Sequence, residues 1–185
     1  MSSTLRNASL LLACAAAFVT VSASAQTRFH LRDGAGPRGA ALGGGYTTVS
    51  NGNLTHQGAH YFQGNDGASY AGHNNVMRNA DGSASNSRNF QGTTAAGGNY
   101  SGNGSYSRTA NGALMGSSQA TGSGPRGSYQ VNNTTANGVT THDTTATNAA
   151  TGITYNGQTT YTKGQGFTHS GSCTNASGAA VACGL

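Results

Sequence analysis

Turn-forming dipeptides recur along this chain at a constant interval. Asn51-Gly52, Asp66-Gly67, Asp81-Gly82, Ala96-Gly97, Asn111-Gly112 and Arg126-Gly127 each stand fifteen residues after the one before. The register then shifts, with Asn137-Gly138 eleven residues later and Thr151-Gly152 fourteen after that. Self-similarity of this kind marks a chain built from one small structural unit set repeatedly beside itself. Matched columns support the period: Tyr70, Tyr100 and Tyr155 share one, Gly72, Gly102 and Gly157 another, and Arg78, Arg108 and Lys163 close the unit.

Inside a unit the period is two. Ile153, Tyr155, Gly157, Thr159 and Tyr161 alternate with Thr154, Asn156, Gln158, Thr160 and Thr162, which is the pattern of a strand with one bulky and one polar face. Beyond residue 25 no apolar residues fall at helical spacing, and each of the many glycines would cost a helix about 1 kcal/mol. The expectation is therefore an all-β protein, a repetitive antiparallel β-hairpin sheet built on the 15-residue repeat, with no helix outside a signal peptide. A β-solenoid with one coil per unit is the alternative. In the hairpin reading the dipeptides Asn51-Gly52, Asp66-Gly67, Asp81-Gly82, Asn111-Gly112 and Asn137-Gly138 are two-residue type I′ turns. Tyr70, Tyr100, Tyr106, Tyr155 and Tyr161 are the expected packing residues of the repeat.

Material for a core is scarce. After residue 25 only fifteen positions are Leu, Ile, Val or Phe, far below the roughly 20% that separates core-forming from disordered compositions. Charge is equally scarce, with Lys and Arg together at 9, Asp and Glu at 4, and no glutamate in the chain. A chain poor in both reaches stability through backbone hydrogen bonds and side-chain ladders.

The first residues read as an export signal. Arg6 supplies a positive start, Leu10 to Val21 an apolar stretch, and Ala23-Ser24-Ala25 a small-x-small cleavage pattern. The apolar run is shorter than the roughly 20 residues a transmembrane helix needs. Export to the surface, surroundings or periplasm of a bacterium leaves Cys173 and Cys183 as an even pair in an oxidising compartment, and a disulfide between them is expected. The organisation that follows is a signal at 1–25, a Gly- and Arg-containing arm at 26–45, repeats at 46–165 and a C-terminal cap at 166–185. The stretch around Gly122 to Thr135, with Pro125, is expected to interrupt the pattern.

Enzymatic chemistry finds little to draw on. Asp33, Asp66, Asp81 and Asp143 are the only carboxylates, and two of them occupy turns where Asp is favoured for its local hydrogen bonding. His56 and His60 share a strand face but lack acidic co-ligands, and His142-Asp143 stands near no nucleophile elbow. No catalytic, cofactor-binding or metal-binding residues are expected. Basic residues look scattered, which argues against a nucleic-acid partner.

In being exported, repetitive and rich in Gly, Asn, Gln and Ser, the chain resembles curlin-type amyloid subunits, although their Ser, Gln and Asn spacing is not visible and the likeness is one of composition. The functional expectation is a non-enzymatic structural protein, a self-assembling subunit of an extracellular fibre, matrix or coat. A binding module using a polar Thr/Asn/Ser face for ice or cell-surface polysaccharide is the alternative.

Overall fold

The computed structural model describes residues 25–183. The expected signal segment lies outside them, Ala25 excepted. Twelve strands follow in order: β1 (Gln26–Gly36), β2 (Gly39–Ser50), β3 (Asn53–Gly64), β4 (Ser69–Arg78), β5 (Ala84–Thr93), β6 (Asn99–Arg108), β7 (Leu114–Gly124), β8 (Gly127–Ala136), β9 (Val139–Asn148), β10 (Thr154–Thr162), β11 (Gly166–Thr174) and β12 (Ala180–Val181). All lie in one open sheet in the order of the chain, every neighbour antiparallel. This is the hairpin architecture. A solenoid would instead stack equivalent strands in parallel across longer connections.

The turns explain the fifteen-residue interval. At the β4–β5 connection the Asn79 amide donates to the Ser83 carbonyl at 2.9 Å, Gly82 donates to the Asn79 carbonyl at 3.0 Å, and Gly82 has φ 84°. That is a three-residue loop, a type I turn followed by one left-handed glycine. Connections ending in Gly67, Gly97, Gly112 and Gly178 carry the same pair of bonds. A ten-residue strand with the five residues that separate it from the next, the three-residue loop and the residue on either side of it, makes fifteen.

Only Asn51-Gly52 and Asn137-Gly138 are two-residue type I′ turns, with φ of 50° and 77° and of 54° and 79°. The two-residue expectation is thus corrected at Asp66-Gly67, Asp81-Gly82 and Asn111-Gly112, where an extra residue leaves only the glycine left-handed. In two of these the aspartate serves the loop directly: Asp66 Oδ1 accepts from the Ala68 amide at 3.0 Å and Asp81 Oδ1 from the Ser83 amide at 2.8 Å.

The residues set apart as an arm, 26–45, form β1 and the first half of β2, and Gly43-Gly44-Gly45 sits mid-strand. Pro125 does not interrupt the sheet. It begins a tight Pro125-Arg126 connection between the paired Gly124 and Gly127, and Pro37-Arg38 does the same between Gly36 and Gly39. Of the expected cap, 166–174 is a full strand of the sheet, and the Cys173–Cys183 disulfide ties the two-residue β12 back to it.

The described residues form no second layer. Among the described residues Cys173, at 5% exposure, is the one buried apolar side chain. Cohesion therefore comes from the hydrogen-bond ladders and from contacts between side chains on neighbouring strands.

Candidate functional faces and edges

Register assigns every strand residue to a face, because directly paired residues project to the same side. One row crosses the whole sheet: Gly34, Ala41, Phe62, Tyr70, Gly92, Tyr100, Gly122, Tyr129, Ala146, Tyr155, Cys173 and Val181. From β4 to β11 a tyrosine on each even-numbered strand alternates with a small residue on each odd one. The five expected packing tyrosines all lie on this face, Tyr106 and Tyr161 in a parallel row. Tyr129 completes the set and was not anticipated. It comes 29 rather than 30 residues after Tyr100, because the Pro125-Arg126 turn is one residue shorter than the loops before it.

The alternation has a steric basis. Aromatic rings lie down over neighbouring glycines, so that a Cβ at Gly102 would stand 2.5 Å from Phe90 Cζ, and one at Gly116 2.5 Å from Tyr106 Cδ1. Tyr100 covers Gly92, Tyr129 covers Gly122, and Tyr155 covers both Gly157 and Gly171. The Tyr100 hydroxyl reaches across β5 to donate to the Ser69 carbonyl at 3.0 Å. In a sheet without a second layer, the rings themselves shield the backbone that glycine leaves bare.

The opposite face is polar from β5 to β11 apart from Met115, Ala136 and Val139. One row reads Ser87, Ser105, Ser117, Thr134, Thr141, Thr160 and Thr168; the next reads Asn89, Asn103, Gln119, Asn132, Asp143, Gln158 and Ser170. Spacing along such a row is the strand separation, about 4.8 Å. Bonds run between these side chains, as from Gln158 Nε2 to Asp143 Oδ1 at 2.8 Å. A shallow trough of about 730 Å³ crosses this face, lined by Gln63, Ser69, Gln91, Ser101, Thr121 and Gln130 among others.

Charge divides by face as well. Arg28, Arg32, Arg78, Arg88 and Arg108, which are all the strand arginines, project from the tyrosine face, and both strand aspartates, Asp33 and Asp143, project from the hydroxyl face. Five of the six histidines, His30, His56, His60, His142 and His169, join the arginines, and His73 lies opposite. Five arginines that look scattered in the sequence are thus gathered on one side with most of the aromatic rings, while Arg38, Arg126 and Lys163 stand in connections and Phe29, Tyr46 and Tyr61 lie opposite. The rings of His30 and His56 stack at 5.9 Å and 4°. Among the described residues no three His, Cys, Asp or Glu side chains are grouped to hold a metal ion.

The edges differ from each other. The outer side of β1 pairs with nothing among the described residues, and this strand carries Arg28, Arg32 and Asp33 as well as Phe29 and Leu31, 71% and 74% exposed. At the other end β12 covers only Cys173 and Thr174, so among the described residues nothing pairs with the outer side of Gly166 to Ser172 of β11. That stretch holds Phe167, 76% exposed, and no Asp, Lys or Arg. Among the described residues no helix is long and apolar enough to cross a membrane. Comparison with protein-family models, curated proteins and solved structures returned no match.

Proposed function

We propose that the chain is an exported, non-enzymatic structural subunit whose sheets join edge to edge into an extracellular fibre, matrix or coat. The observation that carries this reading is the open edge of β11. A row of unpaired backbone groups is a template for a further strand unless charge, proline or a covering segment protects it. Here the covering segment is two residues long and the protecting charge is absent. The disulfide agrees with a place outside the cytosol.

Topology limits how such edges meet. β1 and β11 are both odd members of an antiparallel series, so they run the same way. Joining β11 of one copy to β1 of the next with faces matched requires a parallel junction. Joining β11 to β11 about a two-fold axis normal to the sheet gives an antiparallel one, the pairing used throughout the subunit. A fibre would then alternate β11–β11 and β1–β1 junctions.

The test is negative-stain electron microscopy of the purified protein after incubation at neutral pH, with far-UV circular dichroism on the same sample. Ordered fibres with a β spectrum are expected, together with their loss in a Thr168→Lys, Ser170→Lys variant that places two cations on β11. A monodisperse, soluble monomer at high concentration would overturn the reading.

A second reading has its own observation. The unbroken row of hydroxyls from Ser87 to Thr168 is the regular array that recognition of a periodic surface such as ice requires. Thermal hysteresis or inhibition of ice recrystallisation by monomeric protein would favour it over the fibre.

A further inference from the structure

Separation of charge between the two faces is independent of how the edges join. Five arginines project from one face, which carries no strand aspartate, and spread over β1 to β6; Arg108 also donates to the Gly82 carbonyl at 3.4 Å, in the β4–β5 loop that holds Asp81. All five are exposed. Arg28 and Arg32 stand four residues apart on β1, about 13 Å at strand rise, and Arg78 and Arg108 two strands apart, about 9.6 Å. Phe90 and Tyr106 stand half-exposed among them, and the half-exposed rings of Phe62, Tyr70 and Tyr100 form the next row beyond Arg32. The rings of Tyr70, Tyr100, Phe90 and Tyr106 lie over Gly72, Gly92, Gly102 and Gly116. Several cations on one face beside apolar rings match a polymer that carries anionic groups along a backbone of stackable rings.

We propose that this arginine face binds an acidic polysaccharide. The planar guanidinium groups pair with carboxylates or sulfates, and the aromatic rings carry the C–H faces of the sugars. Nucleic acid and anionic membranes offer the same charge. The polysaccharide is favoured because the disulfide points outside the cytosol, and because the described residues hold no amphipathic helix to enter a bilayer.

The experiment measures binding of the purified protein to polygalacturonate, with dextran as the neutral control. Single-stranded DNA and phosphatidylglycerol vesicles serve as competitors. Binding to polygalacturonate but not dextran is expected, and its affinity should fall steeply between about 50 and 200 mM salt. Replacing Arg28, Arg32 and Arg88 together by Gln, with the circular dichroism spectrum retained, should weaken it about tenfold or more. Asp33→Asn with Asp143→Asn, on the other face, should leave affinity unchanged.

Equal binding of dextran, or an arginine variant that binds like the parent, overturns the proposal. Displacement by DNA or by vesicles at lower concentration than polygalacturonate also overturns it, and reassigns the face to that competitor. Should the arginine variant not fold, the salt titration of the parent protein decides, and an affinity indifferent to salt overturns the proposal. Fibre formation can fail with every one of these results intact.

Discussion

Phe90 and Gly102 are directly paired across β5 and β6, and the ring of the first occupies the space where a side chain on the second would begin. Gly102 does not have positive φ, so its requirement for glycine is steric and not conformational. Gly102→Ala should therefore destabilise the sheet by about 1–3 kcal/mol through overpacking. In a Phe90→Ala background the same change should cost about 1 kcal/mol less, because the ring no longer has to move. Denaturant titration of the four proteins reads the coupling. Strict additivity would show that the ring does not lie on Gly102 in solution.

The two turn chemistries predict different tolerance at residues that look equivalent in sequence. Asn51 and Asn137 are left-handed, whereas Asn111 is not. Replacing Asn51 or Asn137 by Ala imposes positive φ on a residue with a Cβ and should cost about 1 kcal/mol. Asn111→Ala escapes that strain and loses only the bond its side chain accepts from the Thr109 hydroxyl, so its expected cost is about half as large. Thermal melts of the three variants rank them, and an Asn111 variant as damaged as the others would mean that its turn is also type I′.

How far the sequence could be read depends on loop length. Regular Gly-containing dipeptides and a period of two reveal strands and hairpins without any tertiary information. Asp-Gly, however, fits a two-residue type I′ turn and a three-residue loop equally well, and the choice alters which residues share a face. Tyr129 and the common face of the five arginines were hidden for that reason, since a single-residue difference at Pro125-Arg126 or Asn51-Gly52 reverses parity for every strand beyond it. Gly43-Gly44-Gly45 reads as a flexible arm because glycine is poor in strands. In the sheet those glycines instead lie beneath the side chains of His60, Leu31 and His30. Glycine there marks contact with a neighbour.

Asp81 provides a pH-dependent check on the three-residue loop. Bonds from the Ser83 side chain and the Ser83 amide hold its carboxyl below the ordinary value of 3.8. A carboxyl whose pKa is depressed on folding adds stability that is fully present above its unfolded value and lost as pH falls through the folded one. The contribution of Asp81 is therefore present at neutral pH and disappears only below 3.8. Carbon-detected NMR titration should place its midpoint under that value, and Asp81→Asn should leave the loop formed at neutral pH while removing this part of the acid dependence. A midpoint at or above 3.8 would mean that the Ser83 bonds do not persist in solution.

The disulfide separates local from global stability. It closes a loop with a sequence separation of 10, for which chain entropy gives about 3 kcal/mol. The strand it secures has only two residues, and a pairing that short does not hold by itself. Cys183→Ser should therefore release β12, with hydrogen-exchange protection lost after Thr174 and retained from β4 to β9. Releasing β12 also uncovers Cys173 and Thr174 and makes the outer side of β11 continuous. If copies join through that edge, the variant should form fibres with a shorter lag than the parent protein, and chemical reduction of the parent should have the same effect. A longer or unchanged lag would move the junction to β1, and loss of protection throughout the sheet would show that the cap holds the whole molecule together.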